Sequence, residues 1–163
     1  PNLEKLTGGG IQQLQVLPPG MQDLARRIGT QRAKDVMALR RQGVVGSVPE
    51  LIAYDWLEDR GYRFEFQSSQ LGGRLRSGGA VVDFVIYDVS PSGVMMWRIQ
   101  GEYWHQGPDV ERKDEVQRLR LLGLRFGGRP VAAVVDLYET DIYDRYPEVM
   151  LRAEMGMQLR GGR

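Results

Sequence analysis

Apolar positions concentrate in two short runs near the middle of the chain, residues 80–87 (A-V-V-D-F-V-I-Y) and 94–99 (V-M-M-W-R-I), with the turn-forming Asp88-Val-Ser-Pro-Ser-Gly93 between them. Runs of this length, rich in β-branched side chains and bounded by turn residues, predict two paired and largely buried strands. Upstream, residues 21–41 read as a helix broken or bent near Gly29-Thr30 and closed by Gly43. A second helix opens at Gly46-Ser-Val-Pro-Glu50 and runs to about residue 60, with Leu51, Tyr54 and Leu57 on one side and Gly61 as its stop. Residues 62–67 alternate Tyr62, Phe64 and Phe66 on one face, the period of a half-buried strand. Downstream, Asp109 is a good N-cap for a helix over residues 110–122, whose apolar stripe is expected to be Val116, Leu119 and Leu122. Residues 130–136 form a further buried strand, and a last helix over 141–155 breaks near Pro147. The order helix, strand, strand, strand, helix, strand, helix implies a mixed α/β domain with a central sheet covered by helices.

The flanks differ in composition from this middle. Residues 1–20 contain Gly8-Gly-Gly10 and Pro18-Pro-Gly20 and read as an extended arm. Residues 1–45 carry seven Lys/Arg against three Asp/Glu, a net charge of +4 concealed by the chain's overall +1. Such an excess suits contact with nucleic acid, and it equally describes a solvated helix face. The expected organisation is therefore an N-terminal arm and basic helix over residues 1–45, an α/β domain over 46–156, and a basic, Gly-containing tail over 157–163. Ends of this composition order when a partner holds them, so assembly partners acting through the terminal arms are expected. No run approaches the roughly 18 apolar residues of a membrane span, and no signal peptide is visible, so no membrane role and a location in the cytoplasm or within a virus particle are expected. With no cysteine and one histidine, any metal site must be built mainly from carboxylates, amides and carbonyls, a donor set for hard cations such as Mg²⁺ or Mn²⁺.

Three features carry candidate chemistry. Asp83 interrupts the first apolar run, and a carboxylate inside a buried strand is costly unless paired, hydrogen-bonded or metal-bound. Its plain alternative is a solvent-facing position on an edge strand. The second run ends in Gln100-Gly-Glu-Tyr-Trp-His105, gathering an amide, a carboxylate, two aromatics and the chain's only histidine where the strand stops. Ser47 and Glu50 have the S-x-x-E spacing of a capping box, in which Glu50 folds back onto the Ser47 amide. The Gly-rich stretch 68–79 holds Arg74 and Arg76 and is composed either to approach a phosphate backbone or to form a long hairpin.

A helix bearing Glu50, the G-Y-x-F strand, V-D-F-V-I, then I-Q-G-E-Y-W-H and a helix containing K-D together resemble the PD-(D/E)XK, or restriction-endonuclease-like, nuclease superfamily. Within it the closest resemblance is to very-short-patch-repair (Vsr) type endonucleases. The likeness covers roughly residues 48–143 and is most specific at Asp83 and at Gly101-x-x-Trp104-His105. It implies a restriction-endonuclease-like mixed sheet flanked by helices, with the basic helical arm appended. It further implies Asp83 as the metal-binding aspartate, with Gln100 and the backbone of Ile99 at the next metal contact. His105 would lie near the attacking water, and Glu50 would be the first-helix acid that helps hold the metal water. Two departures stand out. The superfamily's acid-x-lysine register reads Gln100-Gly101-Glu102 here, so the acid is an amide and the lysine is absent. Lys113 on the following helix is the candidate replacement cation, and nothing corresponds to the structural zinc site of the mismatch enzymes, because there are no cysteines.

The function these residues imply is metal-dependent endonucleolytic hydrolysis of DNA. Asp83, with Glu50 and Glu102 through water, would hold Mg²⁺ or Mn²⁺, and His105 would act as general base or stabilise the departing charge. Arg74 and Arg76, with Arg26, Arg27, Arg32 and Lys34 of the arm, would neutralise phosphates. The competing expectation is a catalytically inactive nuclease fold serving as a DNA-binding or assembly module of a virus particle or mobile element, which the altered Gln-Gly-Glu register favours.

Overall fold

The computed structural model describes residues 17–66, 75–77, 80–101 and 108–159. By its internal contacts the chain divides into two compact units, Pro1–Val44 and Val45–Arg163.

In the first unit, α1 (Pro19–Ile28) and α2 (Thr30–Arg41) pack against each other. The break expected here falls at Gly29, whose φ of 92° lies in the region that disfavours residues with a Cβ. Pro19 begins α1, where a missing N–H costs nothing. Leu24, Ala25 and Ile28 of α1 and Ala33, Val36 and Leu39 of α2 are buried. Each set follows the helical period, so a short sequence pattern is enough to specify this hairpin.

The second unit begins with α3 (Val48–Asp59) and builds a five-stranded sheet in the order β1-β4-β5-β7-β6. Its strands are β1 (Phe64–Phe66), β4 (Phe84–Ser90), β5 (Gly93–Gln100), β6 (Arg125–Phe126) and β7 (Arg129–Tyr138). Strands β1, β4 and β5 are successively antiparallel, with Phe66 opposite Phe84 and Phe84 opposite Trp97. β7 then runs parallel to β5, reached through α4 (Pro108–Leu122), which is the connection a parallel pair requires. Two small strands, β2 (Leu75–Ser77) and β3 (Ala80–Val82), form a separate antiparallel pair. After β7 come α5 (Glu139–Asp144) and α6 (Glu148–Glu154), separated at Pro147.

Side chains alternate across the sheet, so each face has its own core. On one face Val82, Val85, Val94, Met96, Val131 and Val134 pack with Leu121 of α4. On the other, Tyr54 of α3 meets Phe64 and Phe66 edge-on, and Phe66 stacks on Phe84 with ring centroids 4.8 Å apart. The end of α6 reaches the same face, since a Cβ at Gly156 would lie 3.1 Å from Ala133 Cβ and 3.6 Å from Met95 Cε. Gly93 permits the close start of β7: a Cβ there would come within 2.2 Å of the Pro130 carbonyl oxygen.

Two expectations are corrected. The apolar run over residues 80–87 is not one strand; it divides at Asp83 into β3 and β4, which belong to different sheets. Of the stripe expected to bury α4, Val116 and Leu119 are 48% and 57% exposed, Leu122 packs against the core, and Leu121 is the fully buried anchor. The reason lies beneath α4. Part of the sheet surface it covers is polar, as described next, so Asp114, Gln117 and Arg118 are half-buried there in place of an apolar stripe.

No helix among the described residues is long and apolar enough to cross a membrane.

Candidate functional site

Asp83 occupies the joint between β3 and β4 and is 5% exposed. Its backbone N–H donates to the Trp97 carbonyl (3.1 Å), while its side-chain Oδ2 accepts the Ile99 backbone N–H at 2.6 Å. The chain bends at Asp83, and the carboxylate then supplies the acceptor by which the β5 ladder continues. Burial of the acid is thus met by a short, charge-assisted hydrogen bond. The plain alternative of a solvent-facing Asp83 is excluded. Its carboxylate lies against the Ile99 backbone, so Asp83 and Ile99 are brought together, while the Gln100 side chain is turned to Asp136.

Glu50 is also buried, at the first turn of α3. Both halves of the capping box are present: Glu50 Oε2 accepts the Ser47 N–H at 2.8 Å, and Ser47 Oγ accepts the Glu50 N–H at 3.3 Å. A Cβ at Gly46 would lie 2.9 Å from Glu50 Oε2 and 3.1 Å from Phe66 Cζ. Glu50 therefore borders the aromatic stack that ends on Phe84, the residue after Asp83.

Sequence reasoning missed a polar network on the α4 face of the sheet. Arg98 of β5 and Asp136 of β7 are opposite each other and 2% and 6% exposed. They form a two-pronged ion pair, Nε to Oδ1 at 2.5 Å and an Nη2 to Oδ2 at 2.7 Å. Gln100 Nε2 donates to the same Asp136 Oδ1 at 3.2 Å. From α4 the Asp114 carbonyl accepts from Arg98 at 3.5 Å, and the Asp136 N–H donates to Gln158 Oε1 at 3.3 Å. Burial pushes the Asp114 carboxyl above its usual range, with Arg98 opposing and Asp136 adding to the shift. The signal for this network was of the same kind as for Asp83: one charge inside each apolar run, V-M-M-W-R-I and P-V-A-A-V-V-D. What the sequence lacks is any indication that the two runs are neighbours.

The remaining candidates are dispersed or lie outside the described residues. Lys113 is exposed on α4. Glu102, His105, Arg74 and the side chain of Arg76 lie outside the described residues. In the first unit Arg27 pairs with Asp23 at 3.1 Å and Arg32 with Asp35 at 2.8 Å, while Arg26 and Lys34 are exposed. Among the described residues no three His, Asp or Glu side chains are grouped to hold a metal ion. Of the predicted metal contacts, Asp83 Oδ2 accepts the Ile99 N–H and the Gln100 amide is turned to Asp136, so the described donors do not by themselves form a hard-cation site.

The fold and this site define a mixed α/β protein with a buried acid at the joint between its two sheets. No protein-family model, curated protein or solved structure matches the chain.

Proposed function

We propose that the protein hydrolyses phosphodiester bonds of DNA in a metal-dependent reaction, on a restriction-endonuclease-like scaffold. The observation that carries this reading is the position of Asp83, a buried carboxylate held by the Ile99 amide at the point where β5 gives way to Gln100-Gly-Glu-Tyr-Trp-His105. The succession α3, β1, β4, β5, α4 supports it, because that is the order of the acid-bearing helix, strands and K-D helix on which the resemblance rests. A bound Mg²⁺ or Mn²⁺ would polarise the phosphate and lower the pKa of a water. Asp83 is the described residue that would face it. Glu102 and His105 follow within five residues of Gln100 along the chain, and His105 is the candidate general base. Exposed arginines and lysines would neutralise the DNA backbone.

The test is nicking of supercoiled plasmid with and without Mg²⁺ or Mn²⁺, comparing the wild type with Asp83→Asn and His105→Ala. Metal-dependent nicking lost in both variants is expected. Full activity in Asp83→Asn would remove the site assignment.

One observation favours a second reading, a DNA-binding or assembly module without catalysis. The carboxylates of Asp83 and Glu50 each accept a backbone N–H group, and among the described residues no three His, Asp or Glu side chains are grouped to hold a metal ion. A module of this kind binds DNA equally well in EDTA and takes up no Mn²⁺, which separates the two readings directly.

A further inference from the structure

The outer side of β7 lacks a neighbouring strand over most of its length. β5 pairs with it along one side, whereas on the other side β6 meets only Arg129 and Pro130. Beyond those two positions no strand among the described residues lies beside it. An edge of this kind presents backbone N–H and C=O groups with which a strand of another molecule can pair.

The outward groups can be followed one by one. The Val131 N–H donates to the Leu124 carbonyl at 3.3 Å. Next comes a bulge, since Val94 is opposite Val131 but Met95 is opposite Ala133, and a bulge disrupts pairing along an edge. Further on, the Asp136 N–H donates to Gln158 Oε1 at 3.3 Å. Backbone groups of successive residues alternate between the two sides of a strand, so Val134 faces outward as Asp136 does. Both are nevertheless buried. The chain leaving α6 lies against this stretch. Gly156, at φ 71°, turns it onto Ala133, so closely that a Cβ would press on the Ala133 methyl. Gln158 then caps Asp136, and Leu159 is 8% exposed although it belongs to no helix or strand.

We propose that the outer edge of β7 is a pairing surface for the same edge of a second copy of this chain, and that residues 156–159 are the strap that holds it closed. Between residues 134 and 136 the strap contributes one acceptor, Gln158 Oε1. A strand offering backbone groups to both residues makes more hydrogen bonds there than the strap does. An identical edge supplies such groups, because an antiparallel pair about a twofold axis sets each edge against itself and needs no second sequence. The inference is independent of the metal-dependent reading and stands or falls without it.

The experiment compares the full chain with one shortened to end at Gly156, by sedimentation velocity over a range of protein concentrations and by amide exchange at Val134 and Asp136. Loss of the strap is expected to add a species of twice the mass, whose share rises with concentration. In that species both amides are expected to be protected, while at low concentration they exchange faster than in the full chain. Gln158→Ala in the full chain is expected to speed exchange at Asp136 by about 3–10-fold, the loss of one hydrogen bond. If circular dichroism shows that the shortened chain has lost its fold, Gln158→Ala/Leu159→Ser in the full chain is measured in the same way, with the same result expected. A folded chain without its strap that gains no associated species overturns the inference. Association that leaves both amides exchanging freely also overturns it, because the contact then forms elsewhere.

Discussion

Asp83, Asp136 and Asp141 are all acids in largely apolar surroundings, and each meets burial in a different way. Asp83 accepts a backbone N–H, Asp136 binds a guanidinium, and Asp141, 4% exposed, has an Oδ2 with no hydrogen-bond partner among the described residues. Burial raises the Asp141 carboxyl above its ordinary 3.8, Arg145 opposes the shift and Asp144 reinforces it. A raised folded-state value means that the native protein holds this proton more tightly than the unfolded chain does. The group's contribution is therefore favourable at low pH and is lost as pH rises from 3.8 through the raised value. Asp141→Asn is expected to flatten that fall, measured as the urea midpoint of variant and wild type across the acid range; identical pH profiles would contradict it. At Asp83 the same logic guides the choice of variant. Alanine leaves the Ile99 N–H without its acceptor, at a cost of about 1–3 kcal/mol, whereas asparagine retains an oxygen that can take it. Denaturant melts should rank wild type, Asp83→Asn and Asp83→Ala in descending order of stability.

Among the elements, α4 shows how far a helical pattern can mislead. Val116, Leu119 and Leu122 recur at helical spacing, yet the neighbouring sheet surface contains the Arg98–Asp136 pair, and the helix is rotated so that Leu121 enters the apolar part of that face. Leu121→Ala is expected to cost about 2–5 kcal/mol through an unfilled cavity, whereas Leu119→Ala should stay within about 0.5 kcal/mol of the wild type. Equal destabilisation at the two positions, by chemical denaturation, would restore the stripe read from spacing. Polar contacts join α6 to α3. Glu154 Oε1 accepts from Trp56 Nε1 and from Arg60 Nε, each at 3.1 Å, and the Arg60 guanidinium lies 4.7 Å over the Trp56 ring. Glu154→Ala leaves the indole N–H unpaired and is expected to cost about 1–2 kcal/mol, with a change in tryptophan fluorescence reporting the altered packing.

For the whole molecule, the two units carry different charge. Arg26, Lys34, Arg40 and Arg41 are exposed on α1 and α2, and among the described residues none has a carboxylate partner. If the first unit contributes to DNA binding, replacing Lys34 and Arg41 by Gln should weaken binding to all sequences alike. It should also reduce the slope of log affinity against log salt by about 0.9 for each phosphate that is no longer neutralised. Fluorescence anisotropy over a range of NaCl concentrations checks this, and an unchanged slope would remove these residues from the interface.

Much of the architecture was legible because it is local. Element order, the capping box at Ser47 and Glu50, the break at Gly29 and the stop at Pro147 all depend on residues within a few positions of one another. So did the suspicion that Asp83 is buried, since a lone charge in an apolar strand needs a partner wherever the strand lies. The partners themselves were not legible. Arg98 and Asp136 are 38 residues apart in the chain, and Asp83 and Ile99 are 16 apart. Only the pairing of β4 with β5, and the parallel docking of β7 through α4, decides that these groups meet. Periodicity along a single segment records which residues prefer burial, but it carries no record of what they are buried against. That depends on strand register and order, which the tertiary structure sets.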